Sequence, residues 1–328
     1  MSNNVYKMLS GAATLLVLAA TSSADVKVND HISVNGYAVG SYTSTHWDGG
    51  PSDDTYFEVG APLGNADAVK LGVLGTSGSF SAYGSILYLP GASNEAGLLD
   101  AYVTYDTGAG FKITGGKFLS YLGYEAFDPI NMAQLTYGST IYAVPGYHTG
   151  AKLDYSSKTF SAGIAVVDSV FGGPNGFFEG DREYDDDIGI EAMVSYTGID
   201  KLTVFAGIAT EDTDYKPSYE GPTDSLFIFN LWASYALSDK TTIAGEFITQ
   251  NDVMTGWLAF VGYKFNDKVS AIFRVSGVDW DAGGNDTKYT IAPTYVVNSN
   301  VSLRAEFSMN EGDSGDYSFF GVQAIFKF

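Results

Sequence analysis

From His31 onward, apolar and polar positions alternate along the chain in runs mostly nine to thirteen residues long. The run that closes the chain, Tyr317 to Phe328, is the clearest. One parity holds Phe320, Val322, Ala324, Phe326 and Phe328. The other holds Tyr317, Gly321, Gln323 and Lys327, with Phe319 and Ile325 as apolar exceptions. Alternation at period two belongs to a β-strand with one apolar and one wetter face. The same test sets Val301, Leu303, Ala305, Phe307 and Met309 against Ser302, Arg304, Glu306, Ser308 and Asn310. It also sets Ile188, Ile190, Ala192, Val194 and Tyr196 against Asp187, Gly189, Glu191, Met193 and Ser195.

Sixteen such segments run from His31–Tyr42 to Tyr317–Phe328. Their connections alternate in length. Seven are short turns rich in Gly, Asn, Asp and Ser, such as Thr76-Ser77-Gly78 and Asn298-Ser299-Asn300; eight lie on the other side, all long except Asp252-Val253. A tilted membrane-spanning strand needs about 9–11 residues, whereas strands of soluble sheets average nearer five or six. Short turns at one end and long loops at the other predict an all-β fold: a transmembrane antiparallel up-and-down β-barrel of about 16 strands. The short turns and both termini are then periplasmic and the long loops external. A soluble β-sandwich also alternates, but with shorter strands and closer turns.

The N-terminus carries Lys7, an apolar run over Met8–Ala20 and the small residues Ser22-Ser23-Ala24. This pattern predicts a signal peptide over residues 1–24 and a barrel over 25–328 in the outer membrane of a Gram-negative-type cell. Composition agrees. The chain holds 21 Phe, 23 Tyr and 4 Trp, which suits aromatic girdles at the membrane interfaces. With 17 Lys and Arg against 38 Asp and Glu, the formal charge of −21 argues against a nucleic-acid partner. No cysteine is present, so thiolate metal sites and disulfides are excluded.

Chemistry-bearing motifs are scarce. Only His31, His46 and His148 occur, with no nucleophile elbow, zinc motif or phosphate loop, and neither an enzyme nor a cofactor is expected. The acidic stretch ending Asp185-Asp186-Asp187 is a weak metal candidate, because its spacing lacks the glycine and terminal glutamate of a Ca²⁺ loop. The charges inside strands say more. A Lys or Arg facing lipid at the midplane costs about 2–4 kcal/mol, so such residues should face a water-filled lumen. This predicts Lys70, Lys152, Arg274, Arg304, Asp100, Asp154, Glu191, Glu246 and Glu306 as inward, with Lys117 added if a bulge at Gly115-Gly116 shifts the register. Residues 123–146 form a long third loop bearing Glu125 and Asp128. Folded inward, it would set these carboxylates against Lys117, Lys152, Arg274 or Arg304 and create a transverse field in a constriction. Wall ion pairs with no role in permeation are the alternative.

Asp100-Ala101-Tyr102-Val103, Gly116-Lys117-Phe118, Gly123-Tyr124-Glu125, Pro129, Asn131 and Tyr147-His148-Thr149-Gly150 occur in this order. In that order they resemble the β-barrel porin-2, OmpL-like family, over about a sixth of the chain. The resemblance implies a diffusion porin for small hydrophilic solutes or ions. A loop-plugged structural or adhesion barrel is the other reading. Phe328 resembles the terminal aromatic that barrel-assembly machinery reads. The expected surroundings are outer-membrane lipid and lipopolysaccharide, and a homotrimer is compatible with the barrel's size.

Overall fold

In the computed structural model the described residues are 25–48, 54–58, 68–89, 96–171, 188–212 and 225–328. The signal segment and Asp185-Asp186-Asp187 lie outside them. The strands begin with β1 (Val26–Lys27), β2 (Ile32–Trp47), β3 (Asp54–Glu58), β4 (Val69–Ser77), β5 (Phe80–Tyr88) and β6 (Ala96–Asp106). Then come β7 (Phe111–Leu119), β8 (Tyr147–Ser156), β9 (Phe160–Val167), β10 (Gly189–Tyr196), β11 (Leu202–Glu211) and β12 (Leu226–Ala236). The chain finishes with β13 (Thr241–Gln250), β14 (Met254–Lys264), β15 (Val269–Trp280), β16 (Asn285–Val296), β17 (Val301–Gly312) and β18 (Tyr317–Lys327).

Each wall strand pairs antiparallel with the next, and β18 returns to β2 from Tyr317↔Trp47 to Lys327↔Tyr37. The sheet therefore has no free edge, which a strand in hydrocarbon requires, since unpaired backbone groups find no water there. Sixteen strands make this closed wall, β2 together with β4 to β18. The two short pieces both lie on β2. β3 pairs with Ser41–Thr45, above the stretch Ile32–Ala38 that pairs with β4. β1 pairs with Val34 and Ser33, in line with the end of β18. No described helix is long and apolar enough to cross a membrane.

The alternation sorts side chains between two faces. Along β17, Leu303, Phe307 and Met309 are exposed outward, while Arg304, Glu306, Ser308 and Asn310 are buried inward. Along β18, Phe320, Val322 and Phe326 lie outside, and Phe319, Gln323 and Ile325 inside. Several strands run past their expected ends. β15 and β16 reach Trp280 and Asn285, leaving only residues 281–284 between them, and β17 and β18 leave residues 313–316. The bonds Asp313 N–H to Asn285 O (2.9 Å) and Trp280 N–H to Gly284 O (3.0 Å) explain this, because the sheet pairing continues into the loops. At the opposite end, Thr76 N–H donates to His31 O at 2.8 Å and Phe328 N–H to Gly36 O at 3.0 Å, so His31 and Phe328 lie on the short-turn side.

Candidate functional site: the inner wall and the third long loop

The longest fully described connection, residues 120–146, joins β7 to β8. Its neck is closed by Ser120 N–H donating to Gly146 O at 2.7 Å. Two 3-10 turns, Pro129–Asn131 and Ser139–Ala143, satisfy part of its own backbone. Several of the remaining backbone groups are met by side chains from the barrel's inner face. Glu191 of β10 accepts Ser120 Oγ–H at 2.6 Å and Tyr121 N–H at 3.1 Å. Glu246 of β13 accepts Tyr124 N–H at 2.7 Å, and Asn230 of β12 bonds both Glu246 and Gly123 N–H. Glu306 of β17 accepts Leu135 N–H at 2.6 Å, Thr136 N–H at 2.9 Å and the Thr136 hydroxyl.

The inward cations complete this scaffold. Arg304 donates to the carbonyls of Pro129 (3.2 Å), Met132 (2.5 Å) and Gln134 (3.1 Å). Lys288 of β16 donates to Thr136 Oγ1 at 2.7 Å and Tyr137 O at 3.1 Å. Arg274 of β15 joins Glu125 at 2.5 Å and also donates to Thr136 O at 2.9 Å. Lys70 of β4 stands 3.0 Å from Asp100 and 3.1 Å from Asp128, which also accepts the Tyr37 hydroxyl at 2.9 Å. Carboxylates receiving amides and cations receiving carbonyls are charge-assisted bonds, the strong class. Where both partners are buried, as with Glu306 and the amides of Leu135 and Thr136, removing one strands the other in a dry place.

Between these contacts the underside of the loop is apolar. Leu122, Tyr124, Ala143 and Val144 pack with Phe205, Ile228, Trp232, Ile248, Leu258 and Phe260 of the inner wall. Tyr124 meets the ring of Trp232 at 5.6 Å between centroids, and Trp232 stacks on Phe205 at 5.0 Å. Burying a large apolar side chain contributes about 1.5–3 kcal/mol, so this contact fixes the loop as firmly as the polar bonds do.

Residues 75–328 match the family described as "Putative beta-barrel porin-2, OmpL-like". The chain belongs to this family. No curated protein sequence matches it. Among solved structures it is similar to OprB of Pseudomonas putida (TM-score 0.72, 9% identity, covering 91% of this chain and 94% of that one). It is also similar to OmpF of Salmonella typhi in complex with daunomycin (0.69, 14%, 90% and 97%). The outer-membrane channel DcaP of Acinetobacter baumannii gives a TM-score of 0.66 at 12% identity, covering 90% and 97%. At such identities these likenesses show the fold. Family and fold together make the chain an outer-membrane porin, a channel for passive diffusion.

The structure sorts the sequence-derived residues of this porin. Lys70, Lys152, Arg274, Arg304, Asp100, Asp154, Glu191, Glu246 and Glu306 all occupy inward positions. Glu125 and Asp128 meet wall cations, but one each: Arg274 takes Glu125 and Lys70 takes Asp128. Arg304 instead holds loop carbonyls. Lys117 corrects the expectation of a lumen position. It is in register with Ala101 and Thr149 on the outer face, while Thr114 and Phe118 point inward. The register shift falls in β6, where Ser85 pairs with Asp100 and Ile86 with Leu98, and not at Gly115-Gly116. Lys117 reaches that irregularity from outside, its Nζ donating to Leu98 O at 3.0 Å. Lys117→Gln is accordingly expected to leave ion selectivity unchanged, measured as the reversal potential in a salt gradient; a shift toward cations would restore Lys117 to the lumen.

The expected inward set lacks Lys288 and the apolar inner positions. Lys288 lies near the start of β16, where Lys288, Thr290, Ala292 and Thr294 continue one clean alternation. The apolar inner positions, such as Phe205 and Trp232, broke the expected polar face because the loop covers them.

Proposed function

We propose that the loop 123–146 narrows the lumen, so that small hydrophilic solutes and ions diffuse through a restricted passage. The observation that carries this reading is the attachment of loop backbone at Tyr121, Tyr124, Leu135 and Thr136 to three inward carboxylates on three different strands. A surface loop would leave those amides to water. Inward and loop carboxylates Asp100, Asp106, Glu125, Asp128, Asp154, Glu191, Glu211, Glu246, Asp286 and Glu306 outnumber the cations Lys70, Lys112, Lys152, Arg274, Lys288 and Arg304. Fields in a low-dielectric passage are screened less than at an open surface, so this excess favours cations. Planar-bilayer recordings across a potassium chloride gradient are expected to give a reversal potential of cationic sign. An anionic sign would overturn the charge reading, and a protein that forms no channel would favour a barrel sealed by its own loop.

In this reading the short turns and both termini face the periplasm, following cleavage of a signal peptide at residue 24. The outward apolar rows sit in outer-membrane lipid and lipopolysaccharide, and the strand ending at Phe328 is presented to the barrel-assembly machinery. A solved relative, OmpT of Vibrio cholerae, has a trimer form (TM-score 0.59, 15% identity, 91% and 100% covered), and a homotrimer is proposed here by analogy.

A further inference from the structure

Of the three histidines, His31 and His46 are exposed at strand ends, and His148 is buried. The His148 side chain is 0% exposed and meets the ring of Phe118, its register partner on β7, edge-on at 5.4 Å between centroids. Both ring nitrogens face acceptors. Nδ1 lies 3.4 Å from the carbonyl of Val170, and Nε2 lies 3.5 Å from Oε2 of Glu191 without a hydrogen bond. A backbone carbonyl and an ionised carboxylate can only accept. A neutral imidazole brings one N–H to these two acceptors, whichever tautomer it takes, whereas an imidazolium brings two.

Glu191 is also the carboxylate that holds the loop root. Oε1 receives the Ser120 hydroxyl at 2.6 Å, and Oε2, the atom facing His148, receives Tyr121 N–H at 3.1 Å. Charged and titratable groups reach this place from each element packed there. On β8 with His148, Lys152 keeps its ammonium over the Phe118 and Tyr121 rings, in the field of Glu191 and Asp154. Asp154 takes the Tyr121 hydroxyl at 2.7 Å. Glu211 of β11 takes Ser169 Oγ–H at 3.0 Å and Val170 N–H at 2.6 Å, which fixes the segment that Nδ1 faces. Asp168, at the end of β9, takes Thr149 N–H at 3.0 Å. A proton on His148 thus arrives among four carboxylates and one ammonium, and only Glu191 stands within reach of the ring.

We propose that His148 and Glu191 form a pH-sensitive clasp at the root of the loop, and this rests on the reading that the loop narrows the lumen. The imidazolium donates to Glu191 and holds it against Ser120 and Tyr121; the neutral ring gives up that hold. Imidazoles change charge between about pH 5 and 8, where carboxylates of ordinary pKa, about 4, stay ionised. A proton bound more tightly with the loop attached than released is lost as pH rises, so attachment is stronger in acid. Single-channel recordings of the purified protein in potassium chloride should show loop-opening bursts about tenfold rarer at about pH 5.5 than at about pH 7.5, the scale of one charge-assisted bond. His148→Gln should lose this response, and His46→Gln should keep it. If His148→Gln lacks the heat-dependent gel shift of a folded barrel, Glu191→Gln tests the clasp from its other side and should lose the response too. Bursts equally frequent at both pH values, or rarer at the higher one, overturn the proposal, as does a response that survives either clasp substitution. Channels that Glu306→Ala makes noisier but that ignore pH would sink this inference alone. Noise unmoved by Glu306→Ala as well would sink the loop reading with it, and no channels in any salt would sink the porin reading beneath both.

Discussion

Glu306→Ala is expected to give channels of higher and noisier conductance than the natural protein, with the barrel itself still folded. The Glu306 carboxylate is almost fully buried and gathers Leu135 N–H, Thr136 N–H, the Thr136 hydroxyl and the Ser308 hydroxyl. Lys288 and Arg274 lie in its field. Truncation leaves buried amides without an acceptor and buried cations without their counter-charge. Breaking one partner of such a group costs about 3–5 kcal/mol. The cheapest relief is for the loop crest to leave the wall and take water, because β17 keeps its ladder to β16 and β18. Single-channel recording checks this, with the heat-dependent gel shift of a folded barrel as the control. Conductance and noise equal to the natural protein's would show that Glu306 does not hold the loop. Arg274→Gln should act in the same direction through Glu125.

The next residue carries the second large effect, on the opposite face. Phe307→Arg is expected to destabilise the barrel in lipid by about 2–4 kcal/mol without altering conductance in the channels that form. Phe307 is exposed outward near the middle of β17, in register with Ile291 and Phe320, which are also exposed. An arginine there places its charge in hydrocarbon instead of water. Urea refolding into lipid vesicles measures the loss. A variant as stable as the natural protein would mean that this part of the wall is not in lipid. Two adjacent residues thus separate loop anchoring from membrane embedding, because the strand's period puts them on different sides of one wall.

Strand number and alternation of faces were legible because a membrane barrel repeats one local rule sixteen times, and the closed sheet bears this out. Individual positions were legible only where that rule ran unbroken. Lys117 failed because its inward place required a bulge at Gly115-Gly116, whereas pairing runs through that pair in register and the irregularity lies one strand away, at Leu98 to Asp100. No residue type there marks it. Lys288 is absent from the expected inward set because it lies near a strand end, which the pairing carries on to Asn285. The partner choices of Glu125 and Asp128 were beyond reach. The sequence shows a loop with two carboxylates and a wall with several cations, but pairing depends on how the loop's apolar residues seat against Phe205, Trp232 and Phe260. That is tertiary packing with no periodic trace. The same packing explains the apolar residues on an inner face expected to be polar.

β2 pairs with both residues 26–27 and the C-terminal strand along one edge. Phe328 bonds Gly36 through both its N–H and its carbonyl, and Val26 and Lys27 then take Val34 and Ser33 directly below. Asp25 fills the place between, its carboxylate accepting Asn35 Nδ2–H at 3.4 Å. A residue appended after Phe328 would look for its next partner at Asn35 and find that slot held. A purification tag fused at the C-terminus must therefore either leave the sheet at once or evict residues 25–27 from the seam, whereas one inserted in a long loop disturbs neither.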